Sequence, residues 1–325
     1  MKFDVATFGS AFVDVYLKSK GLKRIKTNKI KTGKALCAQH GAKIAVDELV
    51  IASGGGATNN AVAFERLGLQ AACVACVGSD HWGLFIKKKL KSEGVSLLYL
   101  QESDKNHTSY SNILVSDDGS RTILVYRGAS SDLSWYKVDW DRLNARWFHV
   151  SSLGGDLALL SKILSTARYK DIPVSINPGS KELKQKERLL GYLDQVKVLF
   201  VNQQEAASLT GVSFKDEEKI KEKLSKLGPE WVVMTKGRKG SVAIKKGGEE
   251  EYKMGIFKVE TIEETGAGDA FGSGFVAGQL LDYSVKDCLK LGAANAASVT
   301  TKMGCKEGLL WAPDIEKVMR RKATR

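Results

Sequence analysis

Between residues 147 and 235, short apolar runs alternate with amphipathic ones, and this alternation restricts the fold more than any other feature of the chain. Residues 147–150, 173–176, 196–201 and 231–235 read as buried strands. Helical spacing fills the gaps near 156–167, 204–209 and 217–227. A strand followed by a helix and another strand needs a crossover, which makes neighbouring strands parallel and places helices on both faces of one sheet. The fold class expected is therefore α/β with a mostly parallel central sheet.

The first half of the chain adds to this plan. Residues 2–9 and 71–77 read as further strands, and 60–67 and 82–92 as helices. Two stretches, 11–53 and 95–127, lack helical spacing and look β-like. The second carries a hairpin signal at Asp117-Asp118-Gly119. The expectation is one domain over 1–325, with these two insertions pairing in space as a small β-rich lid.

Composition excludes several classes. Hydrophobic residues make up 43% and charged residues 27%, ordinary for a globular protein. No apolar run approaches the roughly 20 residues of a membrane span. The opening Met1-Lys2-Phe3-Asp4 has an acid where a signal peptide would be apolar, so a cytoplasmic location is expected. Five scattered cysteines do not suggest a disulfide framework. Cys73 and Cys76 lie in an apolar run with no second pair, which favours buried strand thiols over zinc. The net charge of +13 suits anionic substrates, and nucleic acid is the other class it would serve. Much of the excess lies between Lys18 and Lys34, which reads most simply as a solvated edge.

Two glycine sites carry the chemistry. In Glu263-Glu264-Thr265-Gly266-Ala267-Gly268-Asp269, a small-residue turn precedes a helix expected over 269–281. The first amides of a helix have no partner within it and, with the macrodipole, attract anions. A carboxylate there is a poor phosphate ligand but a suitable base for a hydroxyl that attacks phosphorus. An ordinary first-turn acid remains the plainer alternative. The other site is Gly54-Gly55-Gly56-Ala57-Thr58-Asn59-Asn60, read as a close-approach surface for a polyol or as a flexible hinge. Neither site fits a P-loop or a dinucleotide fingerprint.

Together these sites resemble the two signatures of the ribokinase-like (PfkB) carbohydrate kinases. Gly78-Ser79-Asp80, Asn202-Gln203-Gln204-Glu205 and Thr235-Lys236-Gly237 follow in that family's order between them. The resemblance implies a three-layer α/β/α sandwich and an ATP- and Mg²⁺-dependent kinase of a ribose- or fructose-like sugar. It implies Asp269 as base and Gly266, Ala267 and Gly268 as anion hole. Asp14, Gly54, Gly55, Gly56 and Asn59 would bind the substrate. Asn202, Thr235, Lys236, Gly237, Gly268 and Asn295 would line the nucleotide site, and Glu205 would organise Mg²⁺ through water. Members activated by K⁺ usually carry Asp where this chain has Glu263, so a K⁺ site is left open. A nucleoside or phosphosugar kinase is the alternative, with Arg121 and Arg127 able to reach a substrate phosphate. A non-catalytic, basic nucleic-acid-binding protein is a further one. A homodimer through the lid is also implied.

Overall fold

The structure is a computed structural model and describes residues 2–30, 33–116, 121–321 and 323–324. The hairpin signal at Asp117-Asp118-Gly119 lies outside them.

The strands of the first half are β1 (Phe3–Phe8), β2 (Phe12–Lys18), β3 (Lys23–Lys26), β4 (Lys34–Cys37), β5 (Glu48–Gly54), β6 (Ala71–Gly78), β7 (Leu100–Ser103), β8 (Ser109–Val115) and β9 (Arg121–Tyr126). Those of the second half are β10 (Ala145–Val150), β11 (Val174–Ile176), β12 (Val198–Asn202), β13 (Trp231–Thr235), β14 (Ser241–Lys245) and β15 (Glu251–Met254). The helices are α1 (Gly56–Arg66), α2 (His81–Ser92), α3 (Leu157–Tyr169), α4 (Ser180–Leu183), α5 (Lys186–Leu190), α6 (Gln203–Thr210), α7 (Glu217–Leu224), α8 (Ala267–Leu280), α9 (Val285–Val299) and α10 (Ala312–Arg320).

Among the described residues the central sheet runs β15-β14-β13-β12-β11-β10-β1-β6-β7. Every pair from β13 to β7 is parallel, and β14 and β15 extend the sheet antiparallel. Helices cover both faces because the strands are apolar on both. In β6, Ala71, Cys73, Ala75 and Val77 join one core, whereas Ala72 and Val74 join the other. This period of two is the strand's own geometry. It also places Cys73 and Cys76 at positions of opposite parity, so the two thiols point to different faces.

A second sheet has the order β5-β2-β8-β9, and β3 pairs with β4 as a separate hairpin. The two early insertions do meet, through β2–β8 pairing from Phe12↔Ser109 to Lys18↔Val115. One boundary differs from expectation. Residues 100–103, assigned to the second insertion, form β7 and pair with β6 at the edge of the central sheet. β7 starts only after a two-residue bridge at Ala72↔Ser96, and the run is too short for its alternation to reveal which sheet it joins.

Glycines inside α8 would ordinarily weaken a helix by about 1 kcal/mol each. Here they permit contact with α9: a Cβ on Gly274 would lie 2.9 Å from Gly292 Cα, and one on Gly278 would lie 2.9 Å from Cys288 Sγ. No helix among the described residues is long and apolar enough to cross a membrane.

Candidate active site

The C-terminal ends of the parallel strands open on one side of the sheet, where ligands of α/β proteins bind. The catalytic candidate is positioned there by α8. Gly266 takes φ 84°, a left-handed conformation that suits glycine. A Cβ on Gly266 would sit 2.8 Å from Cys305 Cβ, so the turn is also packed too closely for a side chain. The helix begins at Ala267, two residues earlier than expected, which puts Asp269 in its first turn. A Cβ on Gly268 would meet nothing within 4 Å, so that backbone faces open space.

Asp269 accepts a hydrogen bond from Asn59 Nδ2 at 2.8 Å. Loss of water pushes its carboxyl above the ordinary range, and Asn59, the Lys306 ammonium and Asn60 pull it partly back. The residue as a whole is half-buried at the start of α8, beside the open backbone of Gly268.

The Gly54–Gly56 run is no hinge. A Cβ on Gly54 would fall 1.8 Å from Asp14 Oδ2, and Gly55 stands at φ 95° against the Ser10 carbonyl. A Cβ on Gly56 would meet Ser151 Oγ at 2.4 Å and lie 3.6 Å from Asp269 Oδ1. The glycines let β5 turn into α1 directly against two acids. Asp14 is on β2 and is 7% exposed. It accepts from Ser111 Oγ on β8 and, more weakly, from Cys305 Sγ at 3.8 Å. Burial raises its pKa, moderated by Ser111 and Lys306.

The nucleotide candidates divide. Asn202 and Thr235 are register partners at the ends of β12 and β13, and Gly237 follows at φ 55° in open space. Asn202 and Glu205 form a reciprocal cap: Glu205 N donates to Asn202 Oδ1 at 2.9 Å and Asn202 N to Glu205 Oε2 at 2.8 Å. Burial raises the Glu205 pKa, and that cap anchors its carboxylate through one oxygen. A cation held through water would offset the cost of keeping it charged, so Glu205 fits an Mg²⁺ role. Lys236 does not present a free ammonium: it is paired with Glu217 at 2.7 Å. Asn295 does not face a nucleotide either. It is 0% exposed, donates to the Ala270 carbonyl and accepts from Leu310 N, tying α8 to the segment after α9.

The K⁺ question left open at Glu263 turns on its partners. Its Oε1 is taken by the Arg121 guanidinium of β9 and by the backbone and hydroxyl of Thr265, while Oε2 is buried without a hydrogen-bond partner. The chain thus supplies its own cation to this carboxylate. A monovalent ion would sit against a guanidinium on an already neutralised group, so these residues do not fit a K⁺ site. The same pairing removes Arg121 from the candidates for a substrate phosphate.

Sequence reading missed Lys306. It is 6% exposed and donates to Ser53 O at 2.6 Å, Thr58 Oγ1 at 2.9 Å and Asn59 Oδ1 at 2.7 Å. Burial pulls its pKa down to about 8, opposed by Cys305, Asp14, Asp269 and Cys73.

The family model of the pfkB family carbohydrate kinases matches residues 2–312. The chain belongs to the PfkB family of carbohydrate kinases. It is therefore a phosphotransferase acting on a hydroxyl group. A ribokinase of Haemophilus influenzae is 30% identical over 264 residues, covering 80% of this chain and 84% of that one. A cytidine kinase of Thermococcus kodakarensis is 29% identical over 259 residues, covering 78% and 88%. In fold, this PfkB chain resembles Arabidopsis thaliana ribokinase complexed with ribose and ATP. The TM-score is 0.81 at 22% identity, over 99% of this chain and 100% of that one.

Proposed function

We propose that this PfkB kinase transfers the γ-phosphoryl group of ATP, with Mg²⁺, to a hydroxyl of a small ribose- or fructose-like sugar. The observation that carries the reading is Asp269: a desolvated carboxylate in the first turn of α8, oriented by Asn59, next to a glycine turn with open backbone. Asp14 and the Gly54–Gly56 run would hold sugar hydroxyls beside it. Asp269 would take the proton of the attacking hydroxyl, and the Gly266–Gly268 amides would stabilise charge on the transferring group. Thr235, Gly237 and Asn202 would contact the nucleotide. Mg²⁺, organised through water by Glu205, would neutralise phosphate charge. The small sheet would act as a lid that excludes water on closing. We place the enzyme in the cytoplasm, as a homodimer joined through that sheet.

A nucleoside acceptor is the second reading, favoured by the similarity to a cytidine kinase. With Arg121 committed to Glu263, a phosphosugar is less well served. The test is transfer of labelled γ-phosphate from MgATP to a panel of ribose, fructose, fructose 6-phosphate, ribose 1-phosphate, adenosine, inosine and cytidine. Label on a free sugar supports the first reading, and label on nucleosides alone selects the second. ATP-independent, salt-sensitive DNA binding with no transfer to any acceptor contradicts both.

A further inference from the structure

The buried ammonium of Lys306 has three donors and three acceptors: a carbonyl at the end of β5, a hydroxyl on α1 and the side-chain oxygen of Asn59. An ammonium can only donate, so the Asn59 group facing it must be the carbonyl oxygen. Asn59 Nδ2 is thereby turned to the opposite side, where it meets Asp269 Oδ2 at 2.8 Å. Without that constraint the amide could rotate and present its oxygen to the carboxylate, which would repel it.

The lysine is itself held from behind. Its backbone carbonyl accepts from Arg66 Nη1 at 2.6 Å, and the Arg66 fork grips Glu93 at 2.8 and 2.6 Å. Arg66 also lies over the Trp311 ring, 4.8 Å from its centroid. A buried side chain fixed at both ends is preorganised, which is what a supporting group for catalysis requires.

We propose that Lys306 is a positioning residue for phosphoryl transfer: by fixing the Asn59 amide it holds the Asp269 carboxylate in the orientation that accepts the substrate proton. The inference rests on the reading of Asp269 as base. Lys306 gives up no proton in the reaction and touches neither reacting atom. The titratable groups facing it are Asp14 from β2, Cys73 from β6, neighbouring Cys305 and Asp269 from α8, with Glu263 facing Asp14 in turn. Three of these raise no competing charge near neutrality, because burial pushes the Cys73 and Cys305 thiols up to about 12 and Glu263 is already paired with Arg121.

The test compares Lys306→Met, Lys306→Gln and Asn59→Ala in the full-length protein. Two quantities are read: steady-state kinetics, and the Asp269 carboxyl titration followed by ¹³C NMR. Lys306→Met should lower kcat at least about tenfold, with KM for ATP within about twofold. It should move the Asp269 midpoint upward by about one pH unit. On an Asn59→Ala background the same substitution should change kcat less than about threefold, because the positioning route through Asn59 is gone and only the field of the ammonium on Asp269 remains. Lys306→Gln keeps a donor for Asn59 and should restore kcat to within about threefold of wild type. Should the Met variant not fold, Gln carries the test: a Gln variant as slow as Asn59→Ala overturns the proposal. Equal kcat losses from Lys306→Met on both backgrounds, or an unmoved Asp269 midpoint, also overturn it. Failure of Asp269 as base shows separately, as turnover retained by Asp269→Asn, so it is distinguishable from failure of Lys306 as a positioner, which shows as equal kcat losses on the two backgrounds.

Discussion

Charged side chains inside this site are neutralised by the chain itself, in two separate devices. Glu263 is paired with Arg121, and the two acids Asp14 and Asp269 share the field of one lysine. The first device has a direct consequence. Replacing K⁺ by tetramethylammonium should change wild-type turnover less than about twofold, whereas Arg121→Ala should slow the enzyme and make it respond to K⁺. Strong K⁺ activation of the wild type would contradict the assignment. Asp269 was legible in the sequence, because a carboxylate after a glycine turn is a local pattern, whereas Asp14 and Glu263 entered only through the family resemblance. Lys306 was not legible. Its ammonium meets Ser53, Thr58 and Asn59 only after β5, α1 and the segment beyond α9 converge, and nothing near it in Met303-Gly304-Cys305 announces burial. Asn295 erred the other way: an amide on a helix reads as available until the helix is seen to spend both its polar atoms on backbone.

Among the secondary-structure elements, α8 does two jobs. Its first turn presents the candidate base, and its body is a small-residue face pressed on α9. The positions are separable by substitution. Gly274→Val should lower stability by about 1–3 kcal/mol, read as a lower denaturant midpoint, while activity without denaturant persists. A midpoint equal to wild type would show that the α8–α9 contact can relax. The strand–helix alternation of the second half was readable because each segment buries one stripe or both faces in a regular period. The β7 assignment failed for a physical reason: four residues offer two alternations, which fit a lid strand and a sheet edge equally. Helix α9 was not readable from its own residues, because Gly292 and its run of alanines blur the apolar stripe that would mark a helix.

In the molecule as a whole, the small sheet carries exposed apolar side chains at both of its edges among the described residues. β9 is an edge strand of the small sheet whose six residues are all exposed, including Ile123, Leu124, Val125 and Tyr126. Leu49 and Ile51 on β5 add exposed apolar surface at the other edge of that sheet. An unpaired apolar edge is a pairing site unless it is blocked. The wild type should therefore be a dimer at micromolar concentration by light scattering, and Leu124→Asp should shift it toward monomer. A monomeric wild type would contradict the dimer reading while leaving the chemistry intact.

The measurement that reaches the centre of the account is turnover by Asp269→Asn. This change keeps the shape of the side chain and the partner Asn59 but removes the basic oxygen. With the preferred acceptor and saturating MgATP, kcat should fall about 10²–10⁴-fold while nucleotide affinity persists. Turnover within a few-fold of wild type would mean that the proton leaves by another route, and the active-site assignment would be wrong.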